Sequence, residues 1–388
     1  MEQLQNTDFH KSIKDFRQIR HEGKKDEALY AFTQLLAQIP CADEPCLYNK
    51  VLNEIEITEN KEILSSYPRR LGVTLTTRCN LECIMCKVRE TPWDLPEKTV
   101  EEVRGLFPYL RYIMWLGGEV FLCKDFERLY SEAAEYPYLK QAIFTSGILI
   151  DEKWARRLVN SNTMLSYSID GFTKKTYEYI RKNARFEDLV ASIERINRYK
   201  REYNAGLDQE AKFVTGINMT VMKSNYREIE RALDFTREYG FELLTINSID
   251  GVFDAENIFF HHDAAAAQDL EAVIPVVSRK AASYGITLNA WLPRFGPASC
   301  ASQPECRQTF ACHIPWQHLF IDPGGKVRPH CLCKTEVGDI YSSSLVEIWN
   351  GSGMQRYRQK SKENSCIEVC NQRCITGAVS EEELVKDD

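Results

Sequence analysis

The sequence predicts an α/β protein built on a parallel sheet, with a helical extension before it and a small cysteine-rich region after it. Six apolar, β-branched runs alternate with amphipathic helical patterns between residues 71 and 250. Residues 1–68 show only the three- and four-residue apolar spacing of helices. Past about residue 293 cysteine, proline, glycine and histidine become frequent and the helical patterns shorten. At 388 residues, 44% hydrophobic and 27% charged, the chain can bury one large core and an appended module, or two domains.

In the extension, DFHKSIKDFRQIRHEG and KKDEALYAFTQLLAQIP read as two helices parted by Gly23, and Pro68 marks a boundary. The expected strands follow: LGVTLTT (71–77), YIMWLGG (112–118), QAIFTSG (141–147), MLSYSIDG (164–171), KFVTGINMTVM (212–222) and ELLTINSID (242–250). Between them lie KTVEEVRGLF, DEKWARRLVN, FEDLVASIERINRY and YREIERALDFTREYG, each with a helical apolar stripe. Such alternation implies parallel strands joined by right-handed crossovers. Working residues then belong at the C-terminal strand ends, where the loops open. The expected division is 1–68, 69–292 and 293–388.

A net charge of −7 with no stripe of Lys and Arg argues against a nucleic-acid or anionic-membrane partner. The N-terminus lacks the apolar core of a signal peptide, and no run approaches 18 apolar residues. The expected location is therefore cytoplasmic. There, clustered cysteines point to metal binding or catalysis rather than disulfides. The fourteen cysteines are uneven: Cys41 and Cys46, then Cys79, Cys83 and Cys86, then Cys123 alone, then none until eight between Cys300 and Cys374.

TTRCNLECIMCK (76–87) puts three thiols on the loop after the first strand. Iron–sulfur clusters ordinarily take four cysteines, so three leave one iron open to a small chelating ligand. A zinc site completed by a distant His or Cys is the alternative on spacing alone.

Cys-x3-Cys-x2-Cys after strand one resembles the signature of the radical S-adenosylmethionine (SAM) enzymes, and further segments match in order. Gly117, Gly118 and Glu119 resemble the family's Gly-Gly-Glu-Pro segment, with Val120 in place of proline. Thr145 and Ser146 in TSG resemble its Thr-Asn-Gly segment. Ser168 and Asp170 in SIDG match its ribose-contacting segment, Arg181 stands where an arginine often reaches the methionine carboxylate, and Asn218 is the expected polar contact on strand five. The resemblance implies a partial (β/α)6 barrel of the radical SAM type. It also implies a [4Fe–4S] cluster on Cys79, Cys83 and Cys86 with SAM at the open iron. The implied activity is reductive cleavage of SAM to a 5′-deoxyadenosyl radical that abstracts hydrogen from a substrate.

The tail, HIPWQHLFIDPGGKVRPHCLC (313–333) and then SCIEVCNQRC (365–374), resembles the twitch and SPASM extensions of these enzymes, which hold one or two auxiliary [4Fe–4S] clusters. Cys312, Cys331, Cys366 and Cys370 best match one cluster; Cys300, Cys306, Cys333 and Cys374 would supply a second. His330 stands where the family usually has a cysteine after the hairpin, and no cysteine follows Cys374.

The extension reads as helix only, without the β-rich winged-helix module that often captures a leader peptide. This favours oxidation or epimerisation of a small molecule such as a sugar, cyclitol or nucleotide-linked compound over a peptide-modifying role. The external electron donor would be a flavodoxin or ferredoxin. An iron–sulfur electron-transfer or carrier protein is the non-enzymatic alternative, but a carrier needs no SAM pocket. Cys123, on the loop after GGE, is the candidate hydrogen-atom donor to a substrate radical.

Overall fold

The computed structural model describes residues 2–88, 92–207, 212–249, 255–292, 312–333 and 335–362. The strands are, in chain order, β1 (Arg70–Thr76), β2 (Glu82–Cys83), β3 (Tyr112–Gly117), β4 (Lys140–Thr145), β5 (Thr163–Ser168), β6 (Arg181–Lys182), β7 (Val214–Val221), β8 (Leu243–Ser248), β9 (Thr287–Trp291), β10 (His318–Ile321), β11 (Lys326–Arg328) and β12 (Gly338–Asp339). The described residues fall into two compact units. One holds the chain up to Val73, Leu95–Ile113 and the residues from 312 onward; the other holds Thr74–Asp94 and residues 114–292.

In the second unit the C-terminal ends of β1 and β3 are followed in strand order by β4, β5, β7, β8 and β9. The pairs from β4 to β9 are all parallel. Each of the six expected runs is a strand of this mostly parallel sheet, so the α/β class holds. Helices Phe126–Ala133, Glu152–Val159, Lys174–Ile180, Phe186–Asn204, Ile229–Glu238 and Ala264–Tyr284 lie between strands in the chain. Several start where a side chain satisfies a free backbone N–H of the first turn. Asp151 accepts from Trp154 N at 2.8 Å, Thr173 from Thr176 N at 3.1 Å, and Asp263 from Ala266 N at 3.0 Å.

The two faces of the sheet differ. Register aligns Tyr167, Ile217, Leu244 and Leu288 across β5, β7, β8 and β9, and the first three are fully buried. The next row, on the opposite face, is Ser168, Asn218, Thr245 and Asn289, all half-buried. A parallel sheet covered on both faces reads as continuous apolar runs; alternation such as Ile217-Asn218-Met219-Thr220-Val221 marks one face left polar and partly open. β9 lies outside the six expected strands. Its run TLNAW has a single β-branched residue and two exposed positions, which leaves little periodicity to detect.

In the first unit, helices Glu2–His21, Lys25–Leu36 and Pro45–Thr58 pack around Ile13, Phe32, Leu35, Leu47 and Val51. Glu54 is fully buried there and meets Arg17, Arg20 at 2.8 Å and Arg69 at 2.8 Å. Burial alone would raise its pKa, but the three guanidinium groups outweigh that and hold the carboxyl well below the usual range. The expected hairpin forms as β10 and β11, antiparallel around the Gly324-Gly325 turn. β10 also pairs in parallel with β1, His318 opposite Arg70. Trp316 Nε1 donates to Lys61 O, Trp349 Nε1 to Ser66 O, and Arg358 to Glu62 O, Pro315 O and Trp349 O. The residues after 312 are thereby fastened to those just before β1. No helix among the described residues is long and apolar enough to cross a membrane.

Candidate functional site

The loop after β1 carries Cys79, Cys83 and Cys86, and a short antiparallel clip holds it. Glu82 and Cys83 of β2 pair with Lys182 and Arg181 of β6, and Ile84 N donates to Ile180 O at 2.9 Å. Ile84 and Met85 pack against the buried trio Ile180, Met222 and Ile249. The apolar residues between the cysteines thus anchor the loop. Cys79 and Cys83 are half-buried and Cys86 is exposed. Burial pushes the Cys83 thiol up to about 11, against the pull of Arg181, and also raises Cys79. Neighbouring thiols add to both shifts. Among the described residues no three such side chains already stand in metal-holding geometry. The donor chemistry of three cysteines on one anchored loop, two of them buried enough to resist charge alone, is what a cationic iron centre would stabilise as thiolates, and in that sense the residues fit a cluster.

The end of β3 meets the start of this loop. Gly118 N donates to Thr76 O at 2.7 Å and Glu119 N to Arg78 O at 2.8 Å. A Cβ on Gly118 would lie 2.3 Å from Arg78 O, so the backbones approach only because the residue is glycine. Glu119, 1% exposed, then reaches the end of β4. It accepts from Thr145 Oγ1 at 2.7 Å, Ser146 Oγ at 2.8 Å and Ser146 N at 3.0 Å. Burial raises its pKa, opposed by those hydrogen bonds. Gly147 follows at φ 80°, where a Cβ would strike the Tyr167 ring at 2.1 Å.

At the end of β5, Asp170 is fully buried and meets Arg181 at 2.6 Å. Its other oxygen accepts from Thr220 N at 2.7 Å. Arg181 Nη1 in turn donates to Cys83 Sγ at 3.7 Å. The helix that follows is capped by Thr173, which leaves Ser168 and Asp170 out of the capping role. Asn218 Oδ1 accepts from Asn247 Nδ2. The structure therefore joins Cys83, Asp170 and Arg181 in one group, Glu119, Thr145 and Ser146 in a second, and Asn218 with Asn247 in a third.

Two residues escaped the sequence reading. Asn247 sits one turn of alternation past Thr245 on β8, and ELLTINSID did contain it. Asn225, 1% exposed, donates to Asp170 O and Thr220 O at 2.8 Å and accepts from Met222 N at 2.7 Å. Two of these contacts close a local turn, but the third reaches Asp170 from a distant segment, which no local pattern marks.

Cys123 ends the short helical turn after β3, half-buried, with its carbonyl accepting from Phe126 N at 3.2 Å. Burial raises its pKa and so favours the neutral thiol. Of the C-terminal cysteines, Cys312 and Cys333 are half-buried and Cys331 is exposed beside His330, whose Nδ1 lies 3.5 Å from its sulfur. Cys300, Cys306, Cys366, Cys370 and Cys374 lie outside the described residues.

The model of the radical SAM superfamily matches residues 73–236, which carry the triplet, the C-terminal end of β1 and strands β2 to β7. The chain is a member of that superfamily. The iron–sulfur cluster-binding SPASM domain matches residues 312–375, which makes it a radical SAM protein with a C-terminal SPASM domain. These domains imply a [4Fe–4S] cluster, SAM and auxiliary clusters.

Among curated relatives, a probable GTP 3′,8-cyclase of Methanocella arvoryzae is 24% identical over 53% of this chain and 65% of its own length. A cysteine-type anaerobic sulfatase-maturating enzyme of Clostridium novyi is 30% identical over 26% of this chain and 25% of its own. The chain thus spans less than two thirds of the length of these relatives. Among solved structures, Streptococcus suis SuiB bound to SAM superposes with a TM-score of 0.58 at 17% identity, covering 88% of this chain and 77% of SuiB. SuiB bound to the precursor peptide SuiA gives 0.57 at 15%, covering 80% and 70%.

Proposed function

We propose that this chain is a radical SAM enzyme that modifies a peptide or protein, with Cys79, Cys83 and Cys86 holding the cluster. In this reading Gly117, Gly118, Glu119, Thr145, Ser146, Asp170 and Arg181 build the SAM pocket, and Ser168 and Asn218, expected there as well, belong to the polar row that meets the substrate. Some touch the ligand and others hold the strand ends: Glu119 binds β3 to β4, and Asp170 fixes Arg181. Bound there, cluster and SAM together supply a hydrogen-abstracting radical. The chain's part is to hold them against the substrate and keep water out.

The observation that carries the substrate class is the polar row Ser168, Asn218, Thr245 and Asn289. The strands β5, β7, β8 and β9 contain no charged residue. A phosphate or nucleotide taken from water needs cationic partners to offset its desolvation. A neutral amide needs only a donor and an acceptor. With Asn247 donating to Asn218, the Asn218 amide N–H and the Asn247 carbonyl oxygen stay available side by side, the complement of a peptide group. The named relatives that mature sulfatases and the peptide-bound SuiB lend the same reading support. The small-molecule preference rested only on the helical extension, and a helical N-terminus does not bar a peptide from the strand ends.

The test is anaerobic. Reconstituted, reduced protein is incubated with SAM and either the peptide fraction or the non-peptide metabolite fraction of its native cells. Formation of 5′-deoxyadenosine above background and a two-hydrogen mass change should follow the peptide fraction. Turnover with the metabolite fraction alone would overturn the peptide reading while leaving radical SAM chemistry in place.

A further inference from the structure

Among the described residues, Arg181 brings a permanent cation into contact with a triplet thiol. It is 7% exposed and lies opposite Cys83 in the β2–β6 ladder. One arm of its guanidinium, Nη1, donates to Cys83 Sγ at 3.7 Å, and the other, Nη2, meets Asp170 at 2.6 Å. Asp170 is fixed in turn by Thr220 N on one carboxylate oxygen and by Asn225 Nδ2 on its backbone carbonyl. A guanidinium is permanently charged and planar, so a partner on one arm sets the direction of the other.

We propose that Arg181 tunes the reduction potential of the cluster through Cys83, and that Asp170 sets how much of the arginine's charge the sulfur feels. The inference rests on the reading that the triplet binds a cluster. An N–H···S bond draws charge from the thiolate and stabilises the more negative, reduced cluster, raising its potential. Burial strengthens the effect, because little solvent screens the pair. Asp170 works against it by sharing the positive charge. Opposite changes at the two residues must therefore move the potential in opposite directions. A merely structural role would weaken cluster binding in both.

The experiment is an EPR-monitored redox titration of the full, reconstituted protein without SAM, using dithionite as electron source. A Cys79→Ala, Cys83→Ala, Cys86→Ala variant supplies the auxiliary-cluster signal to subtract. Arg181→Gln should shift the triplet cluster to lower potential, leaving it about tenfold harder to reduce at a fixed poise, or about 59 mV for one electron. Arg181→Lys should fall between Gln and wild type. Asp170→Asn, which keeps an oxygen for Thr220 N, should shift the potential upward. Unchanged midpoints, or shifts of the same sign in Arg181→Gln and Asp170→Asn, would overturn the proposal. If Arg181→Gln takes up no cluster, Asp170→Asn decides alone, an upward shift supporting the proposal and anything else sinking it. Absence of any triplet-dependent signal in the wild type would instead refute cluster binding at the triplet, and this inference with it.

Discussion

At Glu119 a single buried carboxylate holds two strand ends together, and its loss should be felt at both. Glu119→Ala leaves Thr145 Oγ1 and Ser146 N and Oγ without their acceptor, at a cost on the order of 1–3 kcal/mol per group left unsatisfied. Isothermal titration of the holoprotein should show weakened SAM binding; full affinity in a folded variant would confine Glu119 to stability. Each single Ala substitution at Cys79, Cys83 or Cys86 should abolish 5′-deoxyadenosine formation while sparing C-terminal iron. Cys123→Ala separates two roles. As the hydrogen donor, its loss leaves SAM cleavage intact but changes the product, whereas normal product at the wild-type rate makes Cys123 a packing residue. At this scale the triplet was readable because its spacing is local in sequence. The ties between Asp170, Arg181 and Cys83 were not, because they close only when three strand ends meet. Residues quoted one by one as ligand contacts turn out to hold one another.

Among the elements, the alternation of β-branched runs with helical stripes was enough to place six strands, since each run is long and bounded by helix. The short pieces were lost: β2 and β6 have two residues each, and β9 has almost no periodicity. The parallel pairing of β10 with β1 was equally invisible, because the hairpin signal fixes only the β10–β11 partner. Glu54 gives the helical extension a measurable anchor. Glu54→Gln removes the counter-charge from buried Arg69 and half-buried Arg17 and Arg20 and should destabilise by about 3–5 kcal/mol. The pH dependence has a definite sign. The folded pKa is depressed, so the stabilisation is fully present above the unfolded carboxyl value near 4.5 and is lost as pH falls below it. Urea denaturation from pH 7 downward should show the wild-type and Glu54→Gln stabilities converging as the solution becomes acid. Parallel curves would mean that the arginines find other partners.

For the whole molecule, the C-terminal cysteine count sets how many clusters the SPASM region can hold. Eight cysteines follow residue 299, twice the four that a fully ligated cluster uses. His330 stands between the hairpin and Cys331, and its Nδ1 already accepts from Leu332 N at 3.2 Å. That bond orients the ring within the chain's own turn, which favours Cys331 over His330 as the ligand at this corner. Trp316, Trp349 and Arg358 fasten this region to Lys61, Ser66 and Glu62, so iron need not supply all of its stability. The Cys79→Ala, Cys83→Ala, Cys86→Ala protein should then stay folded and keep about four irons with one auxiliary cluster, or about eight with two. Adding Cys331→Ala should remove about four of them, while adding His330→Ala should remove none. Loss of iron in the histidine variant would make His330 a ligand, and zinc without iron in the triplet variant would refute iron–sulfur binding by the C-terminal region.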